Sequence, residues 1–540
     1  MATRDIPKTP GQFLFGWTKH VSDELVLNKS PEELEAKYRS EHPNEHLDTA
    51  SSQIVTSTKL SSMWPAFTCG AGLFSDGYVN NSIGTVSTCL SILYPKEIAK
   101  KNALSNVASI AFAGTVLGML VFGYVSDRIS RKSGMLFTNV MLIFFTLMTA
   151  VATWGAHGSP FGLFAAITAF RFFLGVFIGA EYPTASVLSA EFANQLPAGH
   201  RNRYFCWFTT AMIDLGFVVS SFVPMVLLWI FSPRHLTAVW RLTLGLGVFP
   251  PLILFFLRLK ITEGDQFKKM NFNNKKSKFP LWLIIKFYWF RLLVVSLIWF
   301  IYDFSAYSFG IFSSYILAQI IPDGDLYKTF GWNVVFNLFY IPGAFLGALA
   351  ADYLGPRLTL GTGVSLQGMV GFIMAALYPK LKHHIGGFVV VYGIFSTLGE
   401  FGPGDNIGLL ASKTCATPIR GQYYGIAAAV GKIGAFVGTW VFPVIIKNAG
   451  GPKTDSGNQA PYYVSSALCF FSAFLALFFL PALGQDALNK EDEDFLQYLK
   501  DNNYDISLLG DGSFKNDYTD ESIEIAKNHE TVTEVEKSSI

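Results

Sequence analysis

Charge is scarce in this chain. Of its 540 residues only 15% are Asp, Glu, Lys or Arg, against about 25% in ordinary globular domains. A soluble protein of this length shows polar helix faces at a 3.6-residue period, and most helical segments here lack one. Cysteine is scarce too. There are five, an odd number, and Cys69, Cys206 and Cys469 lie inside apolar runs. That pattern offers no disulfide framework and no metal site. No basic cluster joins a nucleic-acid motif, and no nucleotide loop or nucleophile–base pair appears. No cofactor, no nucleic-acid partner and no enzyme are therefore expected. The N-terminus, MATRDIPKTPGQFLFGW, has no apolar stretch of signal-peptide kind, so insertion is expected to rely on the first transmembrane helix.

Apolar side chains are what is abundant. They make up 51% of the chain, with 50 Phe, and the mean hydropathy is +0.35. After a polar first sixty residues, segments of about 20 residues or more recur, as a bilayer-spanning helix requires. They fall near 63–84, 104–126, 134–155, 161–189, 205–230 and 238–258, then near 289–321, 329–352, 358–378, 386–413, 420–446 and 462–482. The expected fold is an all-α membrane protein with twelve transmembrane helices in two six-helix bundles. Its organisation is a cytosolic segment (1–60), a first bundle (61–258), a basic inter-bundle loop (259–288), a second bundle (289–484) and an acidic tail (485–540). Ser30-Pro31-Glu32-Glu33 reads as the start of a short soluble helix. The tail reads as solvated and mostly disordered. Asn80-Asn81-Ser82 is a formal glycosylation sequon abutting the first span.

Lys and Arg in the short loops orient the chain. One side carries Arg128, Arg131, Lys132, Arg201, Arg203, a lysine cluster at 268–278, Arg357 and Arg420. This denser set is expected to face the cytosol, with both termini. The other side has fewer basic residues.

Asp76, Arg171, Glu181, Asp303, Asp405 and Lys432 sit within or at the edge of apolar spans. A charge at the bilayer centre costs roughly 3 kcal/mol or more, and persists mainly where it faces a cavity, a partner, an ion or a substrate. Acids and bases in so many spans point to a transporter. Arg171 and Glu181 are ten residues apart on one helix, nearly 15 Å along the axis, so they cannot pair with each other. Gly175 and Gly179 between them make a small-x3-small face. Trp299, Asp303 and Tyr307 fall at i, i+4 and i+8 and share one helix face. Lys432, flanked by small residues in mid-span, is the cation best placed for an anion. Asp76, in an apolar run without a local partner, suits a group that accepts and releases a proton. Asp214 is a further buried acid with no motif.

The loop after the second span reads Gly123-Tyr-Val-Ser-Asp127-Arg128-Ile-Ser-Arg131-Lys132. Gly347-Ala-Leu-Ala-Ala-Asp352-Tyr-Leu-Gly355-Pro-Arg357 echoes it after the eighth. A small residue permits close helix approach, and the acid is expected to cap the next helix or pair with the adjacent Arg. The recurrence resembles the loop signature of the major facilitator superfamily. That resemblance implies a central cavity, alternating access and a gating role for Gly123, Asp127, Arg128, Arg131, Asp352 and Arg357.

Further phrases resemble the phosphate:proton symporter branch: GAEYPTASVLSAE, WFIYDFSAY, FGPG and RGQYYGIAAAVGKIGA. Within it, SDGYVN, KFYWFRLL, GIFSS and GPGD are most similar to the yeast glycerophosphodiester permeases. The resemblance implies substrate binding by Tyr182, Trp299, Asp303, Tyr307, Lys432 and Arg171, and proton coupling through Asp76, Glu181 and Asp303. Phosphate symporters carry FGPN where this chain has Gly404, and a phosphate-binding Gln near Ile213. Losing two polar contacts suits a diester and a roomier pocket. The expectation is a monomeric plasma-membrane proton symporter for a small anionic phosphodiester, glycerophosphocholine or glycerophosphoinositol. A symporter for inorganic phosphate or another organic anion, or a nutrient receptor, is the alternative.

Overall fold

The computed structural model describes residues 60–98, 103–152, 160–196, 199–272, 279–321, 325–481, 483–484 and 487–510. The expected soluble helix near Ser30 and the last part of the tail lie outside these residues. The first membrane segment, α1, consists of Leu60–Gly70, a 3-10 turn Ala71–Leu73 and Phe74–Leu93. It is followed by α2 (Asn106–Arg128), α3 (Arg131–Val151), α4 (Pro160–Asn194), α5 (Arg201–Phe231) and α6 (Pro233–Arg258). The second half has α7 (Leu281–Ile320), α8 (Leu326–Tyr353), α9 (Pro356–Leu381), α10 (Ile385–Lys413), α11 (Thr417–Asn448) and α12 (Asp455–Phe479). Eleven of these, α2 to α12, are long and apolar enough to cross a membrane. The twelfth, α1, carries Asp76, Asn80 and Asn81, all buried within the protein rather than facing lipid. This is the twelve-helix fold expected from the hydropathy pattern.

Close packing follows from small residues. In α4, a Cβ at Gly175 would strike the Ala111 carbonyl, and one at Gly179 the Thr115 carbonyl, so α4 lies directly against the α2 backbone. The halves meet where α2 packs along α11, α5 along α8 and α1 along α7. Two π-turns interrupt the spans, at Tyr182–Ser186 in α4 and Glu400–Gly404 in α10. Each contains a proline, Pro183 or Pro403, whose missing N–H removes a rung of the helix ladder. Such turns re-aim side chains and are common at functional sites.

Two expectations change, and the formal sequon is located. Span seven begins at Leu281 rather than 289, extending α7 into the inter-bundle region, where Asp265–Met270 forms a short helix. Residues 487–510 of the tail are ordered rather than disordered: α13 (Ala487–Asp501) and a 3-10 turn Ile506–Leu508 fold against the loop face. The reason lies in its apolar stripe. Phe495, Tyr498 and Leu499 pack with Phe287, Tyr288, Ile419 and Tyr423, and Leu488 on the same stripe is buried. Burying each large apolar side chain contributes about 1.5–3 kcal/mol, enough to hold an otherwise acidic helix. Finally, the Asn80 sequon is buried inside α1, and the Asn80 amide donates to Asp76.

Two acids of the repeated loop phrase form reciprocal contacts between the halves. Asp127, after α2, accepts from the main-chain N–H of Gly421 at 2.9 Å and of Gln422 at 2.7 Å, capping the start of α11. Asp352, after α8, accepts from the main-chain N–H of Asn202 at 3.2 Å and of Arg203 at 3.3 Å, capping the start of α5. Each acid therefore caps a helix of the opposite half, not the helix that follows it. Arg131 pairs with Glu191 and donates to the Thr417 carbonyl at 2.9 Å. Gly123 lies against Gly421. Arg128 donates to the Phe272 carbonyl at 3.0 Å and covers the Phe279 ring. Arg357 donates to the Leu480 carbonyl at 3.2 Å. Asp492 of α13 joins this face, accepting from Thr417 N at 2.6 Å and lying 3.6 Å from Arg420.

Candidate functional site: a cavity between the two bundles

A cavity with about 770 Å³ of atom-free space, including its mouth, lies between the halves. It is walled by α1, α4 and α5 on one side and α7, α8, α10 and α11 on the other. The i, i+4, i+8 face of α7 turns into it, bringing Trp299, Asp303 and Tyr307 to the wall with Tyr182, Tyr424 and Lys432. Trp299 and Tyr424 meet edge to face at 5.4 Å, and Tyr182 tilts against both.

Lys432 is the focus of the charge. Its Nζ lies 3.6 Å from Asp76 Oδ2 and 3.5 Å from Asp303 Oδ2, and it donates to the Tyr307 hydroxyl. Asp76 Oδ2 accepts from the hydroxyls of Tyr182 and of Tyr307, the latter at 3.2 Å. All three ionised groups are about 1% exposed. The pair crosses the bundle interface: Asp76 belongs to the first half, Asp303 and Lys432 to the second. Among the described lining residues Lys432 is the one Lys or Arg. Asp303 Oδ2 has no hydrogen-bond donor beyond this ion pair. A lysine shared by two acids has a spare acid whenever an anion takes one of their places.

Tyr182, Trp299, Asp303, Tyr307, Lys432 and Asp76 are thus brought together. Arg171 and Glu181 are not at this cavity. Arg171 is fully buried in the first bundle, donating from Nε to the Val107 carbonyl at 2.8 Å and from Nη1 to the Val79 carbonyl at 3.4 Å. Glu181 is held by Arg258 through two bonds of 2.8 Å. Arg258 also donates to Asn139, Thr68 O and Cys69 O. Both Arg258 and Glu181 are thereby satisfied within the first bundle.

Two acids at the cavity carried no weight in the sequence. Glu400 lines it, with Oε1 accepting from the Tyr302 hydroxyl at 2.7 Å. Its signal was its place just before Phe401-Gly402-Pro403-Gly404, a stretch that reads as a helix breaker. Asp214 lines it too, fully buried, with both carboxylate oxygens unpartnered. Among the described residues no cluster of His, Cys, Asp and Glu is arranged to hold a metal ion.

Two bundles of six helices, a polar cavity at their interface and helix-capping acids across one face define a major facilitator transporter rather than an enzyme. The chain belongs to the family described as "Sugar (and other) transporter", which it matches over residues 63–278 and 260–495. It is 60% identical over 542 residues to the major glycerophosphoinositol permease GIT3 of Candida albicans, covering 100% of both chains. It is 61% identical over 522 residues to the glycerophosphocholine permease GIT4 of the same organism, covering 96% of each. Among solved structures, the proton:xylose symporter XylE bound to 6-bromo-6-deoxy-D-glucose shares the fold. The TM-score is 0.65 at 16% identity, covering 82% of this chain and 99% of that one.

Proposed function

We propose that this chain is a plasma-membrane proton symporter that imports glycerophosphodiesters by alternating access, with both termini in the cytosol. The observation that carries the reading is Lys432 held between Asp76 and Asp303. A phosphodiester carries one negative charge and needs a buried cation. When its oxygens replace a carboxylate at Lys432, that carboxylate loses its counter-ion in a low-dielectric site. It then becomes favourable for it to take a proton. Anion binding and proton binding are thereby coupled through one lysine. Each net positive charge moved inward gains about 2.3 kcal/mol per 100 mV. Because Asp76 and Asp303 come from opposite halves, loading this cluster also bears on how the halves rock. The two bundles of one chain together line the cavity, and the chain is proposed to act as a monomer.

The substrate class rests on the similarity to diester permeases and on the single lysine among the described lining residues. The expected orientation rests on the basic loops that surround the capping acids. The test is uptake of labelled glycerophosphocholine, glycerophosphoinositol and phosphate by yeast cells lacking their own carriers, with and without a protonophore. Protonophore-sensitive uptake of a diester in preference to phosphate is the expected result. Asp76→Asn is expected to abolish accumulation against a gradient; retained uphill, pH-dependent uptake would rule out its role in coupling. Uptake of phosphate alone would place the chain with the inorganic phosphate carriers.

A further inference from the structure

The cavity holds more negative charge than an anion carrier needs. Three acids line it, Asp303, Asp214 and Glu400, and a fourth, Asp76, stands behind Lys432 and Tyr182, against the one described lysine, Lys432. Two of the four belong to the lysine cluster. The other two, on α5 and α10, line the same cavity without an ion pair to that lysine. Tyr302 and Asp303 are consecutive on α7, so their side chains diverge by about 100°. Asp303 turns to Lys432, and Tyr302 turns to Glu400. The cavity therefore has a lysine end and a lysine-free, anionic end, both walled by α7.

The anionic end is built rather than incidental. Asp214 has no exposure and no hydrogen-bond donor at either oxygen. A buried carboxylate left this way is costly unless it takes a proton or something absent from the protein alone completes it. Aromatic faces frame it. Tyr302, Tyr340 and Phe217 all line the cavity, with the Phe217 and Tyr340 rings 5.2 Å apart. Gly404 makes the room: a Cβ there would come within 2.9 Å of the Tyr302 hydroxyl and would collide with the Glu400 carboxylate.

Aromatic rings beside carboxylates, with the Tyr302 hydroxyl already given to Glu400, suit an organic cation that cannot itself hydrogen-bond. We infer that Asp214 and Glu400, with Tyr302, Tyr340 and Phe217, form a subsite for the quaternary ammonium of a zwitterionic phosphodiester. Its phosphate occupies the Lys432 end. This assignment rests on the diester reading above and names glycerophosphocholine as the preferred solute. The ammonium places a positive charge beside two acids that form no ion pair among the described residues, which an uncharged inositol does not.

The test uses labelled glycerophosphocholine and glycerophosphoinositol with the full-length protein in the same yeast cells, normalised to surface protein. A third probe is the carbon isostere of glycerophosphocholine, in which a neutral tert-butyl group replaces the trimethylammonium. In the wild type, the isostere is expected to compete for glycerophosphocholine uptake at least about tenfold more weakly than unlabelled glycerophosphocholine does. In Glu400→Gln and Asp214→Asn, the choline-to-inositol uptake ratio is expected to fall about tenfold, and the penalty against the isostere to shrink.

Equal competition by the isostere in the wild type would overturn the charge recognition without any variant. A parallel fall of both diesters would assign the acids to proton movement or folding and overturn the subsite. An unchanged ratio would do the same. Wild-type uptake of the inositol diester without the choline diester would remove the subsite and leave the diester reading. Uptake of neither would remove both.

Discussion

Glu181 and Glu400 stand near the π-turns of corresponding helices, α4 and α10, and are both almost fully buried. Glu181 faces a guanidinium whose donors are all engaged, and it is away from the cavity. Glu400 faces the cavity with a single tyrosine hydroxyl. The two show what separates a structural acid from a solute-facing one. It is neither burial nor sequence context, since each lies beside an aromatic residue and shortly before a proline. It is whether the protein supplies the counter-charge.

Breaking the paired member should have the largest effect. Arg258→Leu leaves Glu181 as an uncompensated buried charge and strips partners from Asn139 and two carbonyls. A loss of about 3–5 kcal/mol is expected, read as a collapse in folded protein by fluorescence-detected size exclusion in detergent. Lys432→Met is next. It leaves the anion without a cation, and uptake should fall on the order of 100-fold, equivalent to about 2.7 kcal/mol. Folded protein should be largely retained, because Asp76 and Asp303 can protonate.

A side-by-side thermal shift of Glu181→Gln and Glu400→Gln sharpens the comparison. The first should be destabilised by about 3 kcal/mol or more, having left Arg258 unpaired. The second should move by less than about 1 kcal/mol, because no cation depends on it. Equal shifts would erase the distinction. Asp492→Asn should be smallest of all. Burial pushes the Asp492 carboxyl above the usual carboxylate range despite Arg420 and the bonds from Thr417. A neutral amide can still accept from Thr417, and a change under about 1 kcal/mol is expected.

Much of the fold was legible because a bilayer imposes one length and one polarity on every span. The α7 face was legible because a 3.6-residue period places Trp299, Asp303 and Tyr307 together whatever packs against them. Arg258 was not, since at the end of a span beside a basic loop it reads as an interfacial charge. Its contacts with α1, α3 and α4 are all non-local. Glu400 was masked by its glycines and proline. The fold of α13 was hidden by composition: the run KEDEDF reads as solvated until Leu488, Phe495, Tyr498 and Leu499 are seen on one face. For Arg171, local sequence gave a charge but could not show that two carbonyls of neighbouring helices receive it.

Asp127 and Asp352 grip main-chain N–H groups, and this shapes how the protein tolerates mutation. Every residue but proline offers the same N–H, so exchanging the side chain at Asn202 or Gln422 leaves these particular bonds in place. The vulnerability is concentrated in the two acids and in any proline introduced at a capped position. A survey of random variants should therefore find Gln422 forgiving and the two acids brittle, while Gly421, Asn202 and Arg203 are held by contacts of their own.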